Sequence, residues 1–227
     1  MAAEVVFLGT RAVPVWPEGQ TMVASGDPTI LTTRFNDTEL YHPRLIAHIL
    51  ELAQRPRAGK HYFRGACGTK FHHPERWNLS EANLLHARAL ALFRHVLEQD
   101  QAIADMSWAN VYRHGDYCMP HSHVRSKASV VYFLENGDPD PDDPISGRFC
   151  IVDPRLPVCC NQEPASMTKP FLPDCTPGTM LIFPSQVVHS VNPYTGSGPR
   201  ITLSWNISET RIPGVPEPDR EAQAAKM

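Results

Sequence analysis

Two histidines stand two apart in 119-MPHSHVRSKASVVYFL-134, His121 and His123, and an alternating apolar run follows them. In an extended chain residues i and i+2 share a face, so both imidazoles can aim at one point. A third, His189, lies about sixty-five residues on in PGTMLIFPSQVVHSVNP, and Arg200 follows it by eleven positions at the head of RITLSWNIS. Neutral imidazole is the commonest protein metal ligand. Three of them on neighbouring strands would suit Fe, Zn, Cu or Ni. Taken alone, a His-x-His pair is equally what a surface strand carries, and an arginine opening a strand is equally a solvated end. What raises them above that reading is the sequence around them.

The elements that must position these residues fall into two halves. Residues 43–54 carry an apolar stripe (Leu45, Ile46, Ile49, Leu50, Leu52) behind Pro43, which suits a first helical turn. Residues 80–100 form the strongest helical pattern, with Ser80 as the expected N-cap and Leu84, Leu85, Ala89, Leu92, Phe93, Val96 and Leu97 at helical spacing. Residues 1–35 read as short extended pieces and 60–79 as irregular. After about residue 107 the period becomes two. Strands are expected at 108–113, 117–123, 128–134, 147–152, 179–183, 187–191 and 200–207. Helices followed by many short strands predict a mainly β domain with flanking helices: a jelly-roll barrel buttressed by its N-terminal helices. The chain is expected to form one domain, with 1–106 supporting, 107–208 as the β core and 209–227 as a tail.

The bulk numbers exclude several classes. A net charge of −3 over 227 residues leaves no footprint for nucleic acid or a membrane surface. No apolar run approaches the ~18 residues of a membrane helix, and the start lacks the order of a signal peptide. The six cysteines include no CxxC pair and are expected to be free thiols in a reducing, cytoplasmic setting. The 22 prolines cluster at 138–177 and in the tail, which marks loops between strands.

From about 107 to 207 the chain resembles the 2-oxoglutarate/iron(II)-dependent oxygenases of the double-stranded β-helix class, nearest the small bacterial members of unassigned biochemistry. The stretch 112-YRHGDYCMPHSH-123 is similar to the prolyl-hydroxylase pattern Y-x-x-G-x-x-x-x-P-H-x-D, with Tyr112, Gly115, Pro120 and His121 in register. The pairs 129-SVVYFLEN-136 with 147-GRFCIVDPR-155, and 178-GTMLIFPSQVVHSVNP-193, resemble further strand motifs of that family. The resemblance implies an Fe(II) dioxygenase using 2-oxoglutarate and O2 on a small-molecule or amino-acid-like substrate, releasing succinate and CO2. It puts His121 and His189 at the metal and Arg200 on the cosubstrate's far carboxylate, with Tyr112, Thr202 and Ser204 adding hydroxyls. An arginine can grip such a carboxylate through two parallel hydrogen bonds.

One departure matters. The family's third ligand is a carboxylate, and His123 stands in its place. Either His123 ligates, or Asp153 supplies the carboxylate, or water or an anion fills the position. An all-imidazole site also resembles the thiol dioxygenases, which use no oxo-acid, and a non-enzymatic cupin-like metal- or ligand-binding protein is a further alternative. Trp108, Asn110 and Asn206 are candidates to line the pocket, and Arg155 is a candidate to meet substrate beside them. Arg125 is expected on the surface, His61, His72, His73 and His114 in solvated loops, and Cys118 and Met119 in strand packing. A homodimer is possible; no residue other than the metal ligands is assigned a catalytic role.

Overall fold

The computed structural model of the chain describes residues 4–25, 29–55, 68–123, 125–152 and 172–210. The elements run β1 (Val5–Leu8), β2 (Arg11–Pro14), β3 (Val23–Ser25), β4 (Ile30–Arg34), α1 (His42–Gln54), β5 (Thr69–His72), α2 (Ser80–Leu97), β6 (Ile103–Tyr112), β7 (Cys118–His121), β8 (Ala128–Glu135), β9 (Phe149–Val152), β10 (Thr179–Pro184), β11 (Val188–Val191) and β12 (Arg200–Ser208). Each of the seven strands expected after residue 107 is present within a few residues of its predicted bounds. The irregular reading of 60–79 missed β5, whose Thr-Lys-Phe-His has no apolar alternation and pairs only because β6 offers it an edge.

A major sheet has the order β3-β4-β10-β8-β12-β6-β5, and a minor sheet has the order β7-β11-β9. The two face each other over a core that includes Phe133, Phe149, Phe183 and Ile151. This is the double-stranded β-helix arrangement, and its sheets do not close into a barrel. Helices α1 and α2 cover the other face of the major sheet. Leu45, Ile49, Leu84, Leu85, Ala89, Leu92 and Phe93 are sealed there against Ile201, Leu203, Trp205 and Ile207 of β12. Side chains alternate across a strand, so β12 splits cleanly: its odd positions face the helices and its even positions, Arg200, Thr202, Ser204 and Asn206, face the minor sheet. All nine residues of β12 are buried, the polar face included.

Two local expectations change. Ser80 is not a cap: Leu79 holds that position without a side-chain bond, and the Ser80 hydroxyl donates to Glu81 at 3.1 Å. The apolar stripe of α2 also contains Arg88, which is fully buried and bound to both carboxylate oxygens of Asp37. Among the described residues no helix is long and apolar enough to cross a membrane.

Candidate metal centre

His121 closes the short strand β7 and is paired in register with His189 on β11. His123 follows two residues later, and its backbone N–H donates to the Ser185 carbonyl at 2.7 Å, which fixes the turn that carries it. Below that turn the Ser129 hydroxyl reaches Ser185 and donates to Asn206, each at 3.0 Å. The result is a triad: one nitrogen from each of the three rings lies within 4.8 Å of the others. His121 and His189 direct Nδ1 at the carbonyls of Met119 and Val187, at 2.8 and 3.0 Å. Nδ1 must donate there, which leaves the Nε2 lone pair free for an ion. Phe149 stacks on His189, and Phe183 meets it edge-on. Burial holds the pKa of His189 down to about 3 and that of His123 down to about 4, with the neighbouring rings and Lys70 adding to the effect, and burial together with Lys70 lowers His121. All three are neutral at pH 7, the form that ligates a metal.

Behind the triad the inward face of the major sheet forms a polar floor, with Arg200, Tyr112, Thr202, Asn110, Ser204, Trp108 and Asn206 all lining the same cavity. Arg200 is 3 % exposed, and its guanidinium lies 5.0 Å from the Tyr112 ring centre. Neither Nη1 nor Nη2 has a hydrogen-bond partner among the described residues. Burial pulls the Arg200 pKa down from the ordinary arginine range, though a guanidinium keeps its proton at any physiological pH. A buried cation with two empty donors is costly unless an anion meets it. Asn110 is in a similar state: Nδ2 donates to Thr202 at 3.3 Å, while the buried Oδ1 has no partner. Gly147 lets the Arg200 stem through, since a Cβ there would sit 3.0 Å from Arg200 Cδ and 2.9 Å from the Tyr194 ring.

Most of the predicted site residues therefore meet in one place. Asp153 and Arg155 lie outside the described residues. Arg125 is exposed as expected, whereas Met119, expected in packing, is 55 % exposed. Cys118 lines the cavity, His72 sits on β5 rather than in a loop, and His73 bonds Glu75 at 3.1 Å. His114 is exposed, and His61 is outside the described residues. Lys70, on β5, also lines the cavity and escaped the sequence reading. The only signal available was a lone lysine in a strand that itself went unrecognised.

Residues 106–206 match the family model described as "Putative 2OG-Fe(II) oxygenase". Over these residues the chain is similar to the 2OG-Fe(II) oxygenase family. Enzymes of that family need Fe(II) and 2-oxoglutarate, with O2 and a small-molecule substrate. Solved structures agree on the fold. The chain is similar to the non-heme alpha ketoglutarate dependent carbocyclase SnoK from nogalamycin biosynthesis (11 % identity, 87 % of this chain and 86 % of that one, TM-score 0.60). It is also similar to the epimerase SnoN of the same biosynthesis (14 % identity, 84 % and 88 %, TM-score 0.59). A prolyl hydroxylase from Trichoplax adhaerens, solved with a hypoxia inducible factor peptide, aligns at 14 % identity over 78 % and 83 % of the two chains, TM-score 0.54. A comparison with curated proteins finds no match.

Proposed function

We propose that the chain oxidises a C–H bond of a small-molecule or amino-acid-like substrate, with His121, His123 and His189 holding Fe(II) and Arg200 holding the far carboxylate of 2-oxoglutarate. The observation that carries this reading is Arg200: a guanidinium buried in the cavity of the triad, whose two terminal nitrogens have no partner among the described residues and can together grip a carboxylate. Tyr112, Thr202 and Ser204 stand on the same floor and supply hydroxyls to that carboxylate. The residues fit the group. Three neutral imidazoles with nitrogens within 4.8 Å of one another form a donor set that would suit a borderline ion, and two of them have their second nitrogen already bound to the backbone. Fe(II) and 2-oxoglutarate together activate O2 and release succinate and CO2 as the substrate is oxidised. The chain's own part is to bind, orient and keep water out, through the wall of Phe149, Phe183 and Val131.

His123 in place of a carboxylate removes one negative charge from the site. That feature favours a second reading, a three-His dioxygenase without an oxo-acid, against which the buried Arg200 fork stands. Anaerobic titration of 2-oxoglutarate into the iron form separates the two. A visible charge-transfer band and 2-oxoglutarate-dependent succinate are expected, and His123→Asp is expected to keep the metal. Metal analysis should show iron lost in His121→Ala and His189→Ala. Absence of both band and succinate in the wild type would sink the oxo-acid reading and leave the second. Iron kept in His123→Ala but lost in Asp153→Ala would move the third ligand to Asp153.

A further inference from the structure

Arg200 lines two cavities: that of the triad, and another of about 410 Å³ that none of the three histidines lines. We infer that this second cavity is a binding site for a small zwitterionic amino acid, with Arg148 and Arg200 on its carboxylate and Asp140 and Asp174 on its ammonium. Its volume falls in the ordinary range of small-molecule sites, about 300–1,000 Å³. Its walls come from the β8–β9 connection, the residues just before β10 and the head of β12.

The hydrogen-bonding groups left over on those walls decide the ligand. Each terminal nitrogen of Arg200 carries two N–H groups, and neither nitrogen has a partner among the described residues. One carboxylate gripped in a fork takes two of these four, so Arg200 has donors to spare even when an anion holds it from the triad side. Arg148 adds another: its Nη2 donates to the Pro173 carbonyl at 3.2 Å, while its buried Nε has no partner among the described residues. The charge of Arg148 reaches Arg200, so the two guanidinium groups are neighbours. Buried N–H groups on two like charges call for an acceptor that is itself negative. The acids of the cavity then divide. Asp143 is occupied at both oxygens, by the Ile145 N–H at 3.3 Å and the Thr195 hydroxyl at 3.1 Å. Asp140 and Asp174 use only Oδ1 among the described residues, on the N–H groups of Asp142 and Thr176, both at 2.9 Å, and for Asp174 on the Thr176 hydroxyl as well. Each keeps Oδ2 for a donor. Asp140 and Asp174 are exposed, Arg148 is half-buried and Arg200 is buried, so the cavity is positive in its depth and negative at its rim. A plain anion sits badly beside the acids and a plain cation badly beside the arginines. An amino acid carries both charges in the order the cavity presents them.

The test reads the second cavity directly and does not rest on the oxygenase reading. The full chain is labelled with 15N and loaded with Zn(II) as a diamagnetic stand-in. The Arg148 Nε–H resonance is assigned with Arg148→Lys, and the Gly147 backbone amide, on the same wall, follows binding in the variants. L-alanine, 4-aminobutyrate, propionate and ethylamine are titrated at constant pH and ionic strength. At least one of the two amino acids should move the Arg148 resonance saturably, and the tighter of them reports the spacing between the two charges. Propionate should bind at least fivefold more weakly, and ethylamine should leave the resonance in place. Arg148→Met should raise the amino-acid midpoint tenfold or more, and Arg148→Lys should recover part of it, since an ammonium keeps the charge without the fork. Asp140→Asn combined with Asp174→Asn keeps both Oδ1 acceptors and so both turns, and should bring the amino acid and propionate within twofold of each other. No saturable movement with either amino acid, equal midpoints for the amino acid and propionate in the wild type, or an unchanged midpoint in Arg148→Met overturns the inference. Failure of the oxygenase reading shows elsewhere, as a missing 2-oxoglutarate band in the wild-type iron form, and leaves these titrations as they are.

Discussion

Among the described residues two arginines are buried, and they are opposites. Arg88, in the helix layer, is saturated: it binds both oxygens of Asp37, donates to the Tyr41 hydroxyl at 3.1 Å and to the Val15 and Pro14 carbonyls at 3.2 and 3.3 Å, and packs 4.2 Å from the Phe35 ring centre. Arg200, one layer away, has no partner for either terminal nitrogen among the described residues. Equal burial thus serves two ends. A guanidinium whose donors are all used ties α2 to the N-terminal segment and is finished when folding is finished. A guanidinium whose donors are empty carries its desolvation cost through folding and waits for a ligand.

Substitution should separate them. Arg88→Met leaves Asp37 and several acceptors without their partner and should cost about 3–5 kcal/mol of stability, seen as a lower urea midpoint, with little change in 2-oxoglutarate affinity for the folded fraction. Arg200→Met should do the reverse. Ligand-free stability should stay within about 1 kcal/mol or rise, because an uncompensated charge is gone, while cosubstrate binding weakens by about 2–5 kcal/mol, thirtyfold or more. Arg200→Lys should recover only part of this, since an ammonium lacks the planar fork. If Arg200→Met unfolds the protein as Arg88→Met does, the contrast between the two collapses.

The histidines sharpen the same contrast through pH. In the metal-free protein His189 is held down to about 3 and His123 to about 4, against an ordinary value of 6.5. As pH falls below 6.5 the unfolded chain takes up these protons first, so metal-free stability should decline steadily from pH 6.5 toward 4. Each such group contributes a slope of at most about 1.4 kcal/mol per unit. His42, lowered to about 4 on the helix side, adds to the same window. Denaturation of His189→Asn across that range should therefore give a shallower curve but not a flat one. The smallest effect expected is that of Gly147→Ala. With φ at +60° and Arg200 Cδ only 3.0 Å from the new methyl, it should cost about 1–3 kcal/mol in strain and raise the 2-oxoglutarate midpoint by shifting Arg200, measurable in the same titration.

How far the chain could be read in advance follows the same division. β12 was plain because Arg-Ile-Thr-Leu-Ser-Trp-Asn-Ile-Ser alternates without a break, and the three histidines stood out through the motifs around them, since their spacing alone fits a surface strand as well. What escaped depended on neighbours. Arg88 sits in an apolar helical stripe and reads as an exposed charge until Asp37, distant in sequence, is brought beneath it. Lys70 needed β5, and β5 forms only as an addition to β6. Ser80 had the right chemistry for a cap, but the chain enters α2 extended at Leu79 and the hydroxyl turns to Glu81 instead. An open pair of sheets and a closed barrel share one hydrophobic period, so alternation alone could not choose between them.

The alternation of β12 also governs how the molecule can change. Ile201, Leu203, Trp205 and Ile207 seal the helix layer, and Trp205 is tied to His86 of α2 at 3.1 Å. Thr202, Ser204 and Asn206 project to the opposite side, where nothing in the helix layer touches them. Substitutions at these even positions can rewrite what the cavity accepts without loosening the layer that holds the strand in place. A random one-residue slip of register, by contrast, would trade the two sets wholesale and is penalised on both sides at once. Point substitution is thus an open route to new specificity on this strand, and insertion or deletion a closed one.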